Sequence, residues 1–280
     1  MGTCFGIIAT VHAFDIDMSA ISELCEKGSG LSGLVVIVNY PHRPSAPKYS
    51  HWCSGIEIIV IEACDYIGSA EAFRRGIVAA QSMGADAVLL LDEDCFMTTT
   101  ACNALCEAVR SHAIVSANRN THRETWVVPG TIRVLRRANT SQNMLCGWAG
   151  MAINLTQIPE WDRWLRQLGE TLWFYWDDYT FVAWTMQQGL SVRGFDQITY
   201  ESPNLPRRTR SSWRSYYESR NGVWFARLTM SGWPRWKFVL LWFIEYVVAV
   251  GIRDRKLRQT WTGFRDGVSG IVGRTADPWS

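Results

Sequence analysis

The first 110 residues alternate short apolar runs with stretches of helical periodicity. Apolar runs of this length predict strands, and the periodic stretches predict helices. The predicted strands are 5–11, 34–38, 56–61 and 87–91, and the predicted helices are 15–27, 69–83 and 99–111. Strands that are apolar throughout and alternate with helices are typical of a parallel sheet covered on both faces. We therefore expect an α/β fold with a Rossmann-like, mostly parallel sheet flanked by helices.

The composition is that of a globular protein with a sizeable core. Of 280 residues, 48% are hydrophobic and 19% are charged, and the low net charge of +2 excludes a disordered chain. The charge is uneven, with a net −7 over residues 1–100, +1 over 101–200 and +8 over 201–280. A basic segment suits nucleic acid, a phosphorylated substrate or an anionic membrane. Because no helix-turn-helix, finger or RNA-binding signature accompanies it, we expect no nucleic-acid partner.

The cysteines and the first residues bear on the cellular compartment. None of the 8 cysteines forms a C-x-x-C pair, so we expect small buried thiols in a reducing compartment rather than a metal site. The stretch Met1–Phe5 lacks the basic start and long apolar run of a signal peptide. We expect a cytoplasmic protein, with peripheral attachment to the cytoplasmic membrane face left open.

A nearly continuous apolar stretch at 237–252 leaves two interpretations open. It is interrupted by Glu245 and falls short of the ~20 residues that span a bilayer. Basic residues flank it, and a helix with an apolar body, tryptophan and basic ends can lie in a membrane interface. The alternative is a buried core helix packed on the sheet domain. Residues 235–258 are therefore a candidate membrane-contacting surface.

Polar side chains lie at or just after the carboxyl end of each of the four predicted strands. They are Thr10 and His12, Asn39, Asp65, and the run Asp92-Glu93-Asp94. In open parallel sheets, ligands bind beyond the carboxyl ends of the strands. We therefore expect these side chains to line a ligand-binding edge.

The run Asp92-Glu93-Asp94 follows a strand of five apolar residues. Three carboxylates at one strand exit repel one another unless a cation is bound. Mg²⁺ and Mn²⁺ take oxygen ligands and can bridge a substrate diphosphate. The alternative is a solvated acidic loop or a helix N-terminus satisfied by acids. The buried strand that precedes the run favours the metal site.

A second acidic pair, Asp177-Asp178, follows four aromatic residues, 173–176, and opens a predicted helix at 179–188. One aspartate could simply cap the helix. A carboxylate beside aromatic surface can have its pKa raised, which makes it a competent general base.

Several segments resemble the nucleotide-sugar domain of family 2 glycosyltransferases, and most closely bacterial rhamnosyltransferases and galactofuranosyltransferases. Residues 65–77 resemble the Gly-rich N-x-G-G-A-G-G-F-x-R-G segment, and residues 84–94 end in the D-x-D motif. Residues 173–178 resemble the segment whose second aspartate is the catalytic base. Residues 215–221 resemble Y-Y-x-x-R-N, and 264–270 resemble a Gly-spaced tail. The motifs keep the family order and together cover about residues 5–275.

The resemblance implies a GT-A fold and a metal-dependent inverting glycosyltransferase that uses a nucleoside diphosphate sugar and a hydroxyl-bearing acceptor. In the donor site it implies nucleotide contacts from Thr10, His12, Asn39, Asp65, Arg74, Asp92 and Glu93. Asp92 and Asp94 would hold Mg²⁺ or Mn²⁺, with Glu201 in place of a family histidine. Asp178 would be the base and Asp177 would position the acceptor. Trp148, Trp173 and Trp176 would stack on the acceptor.

Several departures from the family keep other functions open. Thr180 stands where relatives carry an acid, Trp184 stands where they carry an arginine, and the late histidine of their metal site is missing around residues 198–202. The alternatives are a non-catalytic sugar- or membrane-binding relative and a metal-dependent nucleotidyltransferase. We expect residues 1–115 to bind the donor, 116–230 to bind the acceptor within the same GT-A domain, and 231–280 to form a helical segment.

Overall fold

In the computed structural model, the residues whose placement can be described are 3–10, 30–39, 56–63, 65–92, 95–119, 147–201 and 211–275. They form seven strands and seven helices. The strands are β1 (Cys4–Thr10), β2 (Gly33–Val38), β3 (Glu57–Glu62), β4 (Ala87–Asp92), β5 (Ile114–Arg119), β6 (Met151–Asn154) and β7 (Val192–Tyr200). Helices α1–α4 are Ser69–Ser82, Thr99–Ala108, Trp161–Thr171 and Asp177–Gln187. Helices α5–α7 are Ser212–Thr229, Gly232–Trp242 and Leu257–Ser269.

All seven strands belong to one sheet in the order β3-β2-β1-β4-β6-β5-β7. Strands β3, β2, β1 and β4 are parallel, as the apolar runs predict, and β6 runs antiparallel between β4 and β5. Strand β7 is parallel to β5. The parallel pairs put the carboxyl ends of β1, β2 and β4 at one edge, where Ala9 is paired with Asp92 and Thr10 with Val38.

The predicted fold class is confirmed: the sheet is mostly parallel and has helices on both faces. The four predicted strands are present, each with ends within one residue of the prediction. The predicted helix at 69–83 is α1, and the one at 99–111 ends earlier, at Ala108. The predicted helix at 15–27 lies outside the described residues, and the three-part division of the chain stays a prediction.

Helix α1 packs closely on the sheet because it carries a glycine at the contact. A Cβ added to Gly76 would lie 2.5 Å from Cγ2 of Ile7. The neighbouring Phe73 and Ile77 are fully buried in the same cluster. This fit holds the start of α1 at the carboxyl edge of the sheet.

Among the described cysteines, Cys4, Cys95, Cys102 and Cys106 are buried thiols, as expected.

The helices after residue 211 form a separate packed layer. Gly263 and Gly267 of α7 lie directly against the backbone of α5, and any side chain there would collide with the carbonyls of Tyr216 and Arg220. Helix α6 continues through a π-helical segment, Phe243–Val250, into a short turn at Gly251–Arg253. Among the described residues, no helix has the length and hydropathy needed to cross a bilayer.

Candidate active site

Asn39 joins the end of β2 to the start of α1. Its N–H donates to the carbonyl of Thr10 (2.8 Å), which links the ends of β2 and β1. Its side-chain oxygen accepts from the N–H of Ile67 (2.8 Å), and its side-chain nitrogen donates to the carbonyl of Gly68 (3.2 Å). Asn39 is 3% exposed. The polar residue predicted at this strand exit therefore fixes the loop that leads into α1, and its nucleotide contact stays a prediction.

The other residues predicted to contact the nucleotide lie in different surroundings. Thr10 is buried at the end of β1, and Asp92 is exposed at the end of β4. Asp65 is exposed near the same edge and forms an ion pair with Arg274, with 3.1 Å between Oδ1 of Asp65 and Nη1 of Arg274. The guanidinium of Arg74 donates to Glu71 on its own helix α1 and to Asp162 on α3. Its role in nucleotide binding stays a prediction, as do those of His12 and Glu93, which lie outside the described residues.

Asp177 and Asp178 form the first turn of α4, two residues earlier than the predicted helix start. Asp177 is buried, and its Oδ2 accepts from Oγ of Ser69 (2.5 Å) and from Nε1 of Trp148 (3.1 Å). Burial raises the pKa of Asp177, and the bonds from Ser69 and Trp148 act against that rise. The carboxylate of Asp177, at the start of α4, thus bonds to the start of α1 and to the segment around Trp148.

Asp178 is the half-buried member of the pair. Its Oδ1 accepts from the N–H of Tyr179 (2.7 Å), and a Cβ added to Gly147 would lie 3.3 Å from its Oδ2. Burial, the charge of Asp177 and the charge of Asp92 hold the pKa of Asp178 well above its ordinary value. Gly150, three residues after Gly147, donates its N–H to the carbonyl of Leu90 (2.9 Å) in β4, so the segment beside Asp178 is bonded to the strand that ends in Asp92.

The four aromatic residues before Asp177 form a turn with an uncommon backbone. Trp173, Tyr175 and Trp176 have φ angles of +64°, +64° and +68°. Such angles are unfavourable for bulky side chains, and they persist only where the surroundings enforce them. We call residues 173–176 the aromatic turn. Its conformation sets the direction in which α4, and therefore Asp178, begins.

Helix α5 enforces the aromatic turn through two adjacent buried side chains, Arg220 and Asn221. The side-chain nitrogen of Asn221 donates to the carbonyls of Leu172 (2.9 Å), Phe174 (2.5 Å) and Tyr175 (3.2 Å). Arg220 donates from Nη2 to Leu172 (2.8 Å) and from Nε to the side-chain oxygen of Asn221 (2.8 Å). These bonds satisfy carbonyls that the turn withdraws from helix and sheet, so the pair stabilises an otherwise costly backbone.

Residues 273–275 complete the support of the turn. Nη1 of Arg220 donates to the carbonyl of Gly273 (2.6 Å) and to Oγ1 of Thr275 (3.1 Å). The guanidinium of Arg274 lies 5.5 Å from the ring centre of Trp173. The same Arg274 pairs with Asp65, so this segment connects the turn to the loop after β3.

The three tryptophans predicted to stack on the acceptor lie in the walls of the site. Trp148 packs on Phe73 and Phe181, with ring centres 5.5 and 5.7 Å apart. Trp173 and Trp148 are each 5% exposed, and Trp176 is half-buried. Their present contacts are with protein rings, and their contact with an acceptor stays a prediction.

Asp92 and Glu201 are the two predicted metal ligands that lie among the described residues. Glu201 and Phe96 form an antiparallel bridge, with N–H to carbonyl distances of 2.7 and 2.8 Å in the two directions. Phe96 stands two positions after Asp94 in the sequence, and Asp94 itself lies outside the described residues. Glu201 also borders a cleft of about 300 Å³ next to Thr98 and Thr199. Within the described part of the chain no three potential ligands form a cluster, but the donor chemistry suits a hard cation.

Three residues that matter to this site were not predicted as site residues from the sequence: Ser69, Arg220 and Asn221. The signal for Ser69 was its place at the first position of a helix after a glycine. Arg220 and Asn221 stand in the Y-Y-x-x-R-N-like segment, but that pattern does not say which carbonyls they bind. Polar residues in the middle of a long buried helix were the available signal.

Comparison with solved structures identifies the fold. The mannosyltransferase PcManGT from Pyrobaculum calidifontis, solved with GDP-Man and Mn²⁺, aligns over 99% of this chain and 77% of its own, with a TM-score of 0.57 and 13% identity. TarS of S. aureus (residues 1–349), solved with UDP-GlcNAc, aligns over 97% and 82%, with a TM-score of 0.57 and 10% identity. A mycobacterial protein aligns over 82% and 76%, with a TM-score of 0.57 and 13% identity.

The fold is GT-A-like. No protein-family model matches this sequence, and no curated protein matches it either. The likeness at these identities concerns the fold, and the assignment to family 2 stays a prediction.

Proposed function

We propose that this protein is a metal-dependent, inverting glycosyltransferase that moves a sugar from a nucleoside diphosphate to an acceptor hydroxyl. One observation carries the proposal: the segment 147–150, which lies against Asp178, is hydrogen-bonded to the strand that ends in Asp92, and this brings both acidic residues to the carboxyl edge of the sheet. The GT-A-like fold supports it, since two of the similar structures were solved with sugar nucleotides. The family 2 assignment belongs to the same proposal.

The donor binds along the sheet edge between Thr10, Asn39 and Asp92. Asp92, Asp94 and Glu201 supply the carboxylates that would hold Mg²⁺ or Mn²⁺, and one of the similar structures was solved with Mn²⁺. When bound, the ion neutralises negative charge on the departing diphosphate. Asp92 would thereby help to hold the diphosphate end of the donor at this edge.

Asp178 accepts the proton of the acceptor hydroxyl. As that O–H bond breaks, the oxygen forms a bond to the anomeric carbon, and the bond from this carbon to the diphosphate oxygen breaks with its electron pair. Attack opposite the leaving group inverts the anomeric centre. A raised pKa favours this role because a more basic carboxylate is a better proton acceptor near neutral pH.

Replacing Asp178 with Asn tests the proposal directly. Purified protein is screened against a panel of nucleotide sugars with Mn²⁺, first by thermal shift and then by calorimetry and turnover. We expect Asp178→Asn to lower turnover by roughly 10²–10⁴-fold while the donor Kd changes little, since the base acts on the acceptor.

The matched control is Glu107→Gln. It removes a carboxylate on α2 that forms an exposed ion pair with Arg110, just after the helix. It should leave turnover and donor binding unchanged. If Asp178→Asn retains near-normal turnover, the base assignment is wrong. If chelator leaves the wild-type donor affinity unchanged, the metal assignment is wrong.

A further inference from the structure

Helix α6 and its π-helical continuation expose an apolar stripe. Trp233, Trp236, Leu240 and Ile244 are 74%, 65%, 58% and 52% exposed. Their spacing of three, four and four residues places them on one side of the helix. Large exposed apolar residues in a continuous row are uncommon on a soluble surface, and they mark a contact site.

The opposite side of the same helix packs against the rest of the protein. Phe238, Trp242 and Tyr246 are buried at intervals of four residues. Trp242 stacks on Tyr246 at 4.3 Å and lies edge-on to Trp176 at 5.0 Å between ring centres. The buried side therefore anchors α6 behind the aromatic turn, and the exposed stripe is not needed to hold the helix in place.

Helix α7 extends the apolar surface. Leu257, Trp261 and Val268 are 45%, 49% and 51% exposed, and they too recur at helical spacing. Trp261 lies 5.9 Å from Phe243 between ring centres, so the exposed row on α7 lies beside the π-helical segment that carries Ile244. The buried side of α7 faces α5. We call this surface the outer apolar face; it consists of Trp233, Trp236, Leu240, Ile244, Leu257, Trp261 and Val268.

Basic residues surround the outer apolar face. Residues 231–275 contain eight Lys and Arg against three Asp and Glu, and Lys237, Arg255 and Arg258 are exposed. Two of the three acids, Asp254 and Asp266, pair with neighbouring arginines. Basic residues near an anionic lipid surface are attracted to it. A second copy of the chain would bring the same positive charges together, which opposes self-association.

We propose that the outer apolar face binds an anionic phospholipid bilayer, with α6 and α7 lying in the interface plane. The tryptophan and aliphatic side chains enter the boundary between headgroups and acyl chains, and the basic rim contacts lipid phosphates. The proposal is independent of the enzymatic proposal, because binding to lipid needs neither donor nor turnover.

Vesicle binding of the full chain tests this proposal. Vesicles of equal parts phosphatidylglycerol and phosphatidylcholine are compared with vesicles of phosphatidylcholine alone, by co-sedimentation. We expect clear binding to the anionic vesicles, weakened by salt and by Arg255→Glu/Arg258→Glu. Trp233→Gln/Trp236→Gln should weaken it by more than roughly ten-fold, because two large apolar groups no longer enter the bilayer.

The control variant is Val78→Ser, which removes an exposed apolar residue from α1 (44% exposed). It should bind as the wild type does, and all variants should keep the wild-type melting temperature, because the altered side chains are exposed. Equal binding by the double tryptophan variant, or no wild-type binding to anionic vesicles, overturns the proposal. A wild-type dimer that the double tryptophan variant converts to monomer in analytical ultracentrifugation also overturns it, in favour of a second copy on this face.

Discussion

The two halves of the candidate site position their carboxylates by different means. Asp92 stands at the end of a strand, where the backbone ladder with β1 holds it in register. Asp178 follows an aromatic turn with three positive φ angles, which depends on side-chain donors from α5. Many ladder bonds share the support of Asp92, whereas the turn depends on a few side chains, chiefly Arg220 and Asn221. The carboxylate of the donor edge should therefore tolerate distant mutations better than the carboxylate of the turn.

The largest expected effect that separates the two halves comes from Asn221→Ala. The change removes the Asn221 donor from the carbonyls of Phe174 and Tyr175, whereas the carbonyl of Leu172 keeps its bond from Arg220, and the loss of a buried hydrogen-bond partner costs about 1–3 kcal/mol. We expect unfolding stability to fall by about 3 kcal/mol and turnover by more than ten-fold. Donor Kd, measured by calorimetry below the melting temperature, should stay near the wild-type value.

The comparison also requires a control on α5. Thr229→Ala removes a side-chain bond to the carbonyl of Phe225 but does not touch the turn. It should lose some stability and keep the wild-type turnover. If Asn221→Ala weakens donor binding as much as it weakens turnover, the two halves are not supported independently.

A smaller effect concerns pH. The folded-state pKa of Asp178 lies above its unfolded value, so ionising this group costs folding free energy as pH rises through that interval. With chelator present, Asp178→Asn should be more stable than the wild type at pH 8, by on the order of 1 kcal/mol. The difference should shrink as pH falls and the wild-type carboxyl becomes protonated. Denaturant unfolding across the pH range measures it, and a difference that grows toward acid would contradict the raised pKa.

The smallest expected effect comes from Ser69→Ala, which removes one of the two side-chain bonds to Asp177. A single hydrogen bond contributes about 1 kcal/mol, so we expect a stability loss of that size and a few-fold loss of turnover. Ser82→Ala in the same helix removes an exposed bond to the carbonyl of Ala79 and serves as the control. If both variants behave alike in turnover, Ser69 does not help to place the acidic pair.

The donor half of the fold could be predicted because its signals are local. Uniformly apolar runs give β1–β4, and their polar exits point to the edge that carries Asp92. The antiparallel β6, inserted between β4 and β5, could not be predicted, because its pairing depends on contacts distant in sequence.

The sequence predicts the acidic pair from its aromatic surroundings. It does not predict the backbone turn that positions the pair, or the side chains that stabilise that turn. Nothing local in residues 173–176 indicates a positive φ, since aromatic residues disfavour it. Only the positions of Arg220 and Asn221 in three dimensions explain how the turn is maintained. In the same way, the sequence of the stretch 237–252 does not show which side of the helix is buried. Apolar residues occur on every side of it, so only the packing of neighbouring elements decides which side is covered.

The contacts of residues 273–275 have a consequence for synthesis. Arg220 bonds both Gly273 and Thr275, and Arg274 reaches back to Asp65. The sheet can begin to fold while the ribosome is still making the later helices. The aromatic turn cannot gain its full support until residue 275 has left the exit tunnel. A nascent chain should therefore acquire its donor edge first and a correctly placed Asp178 last.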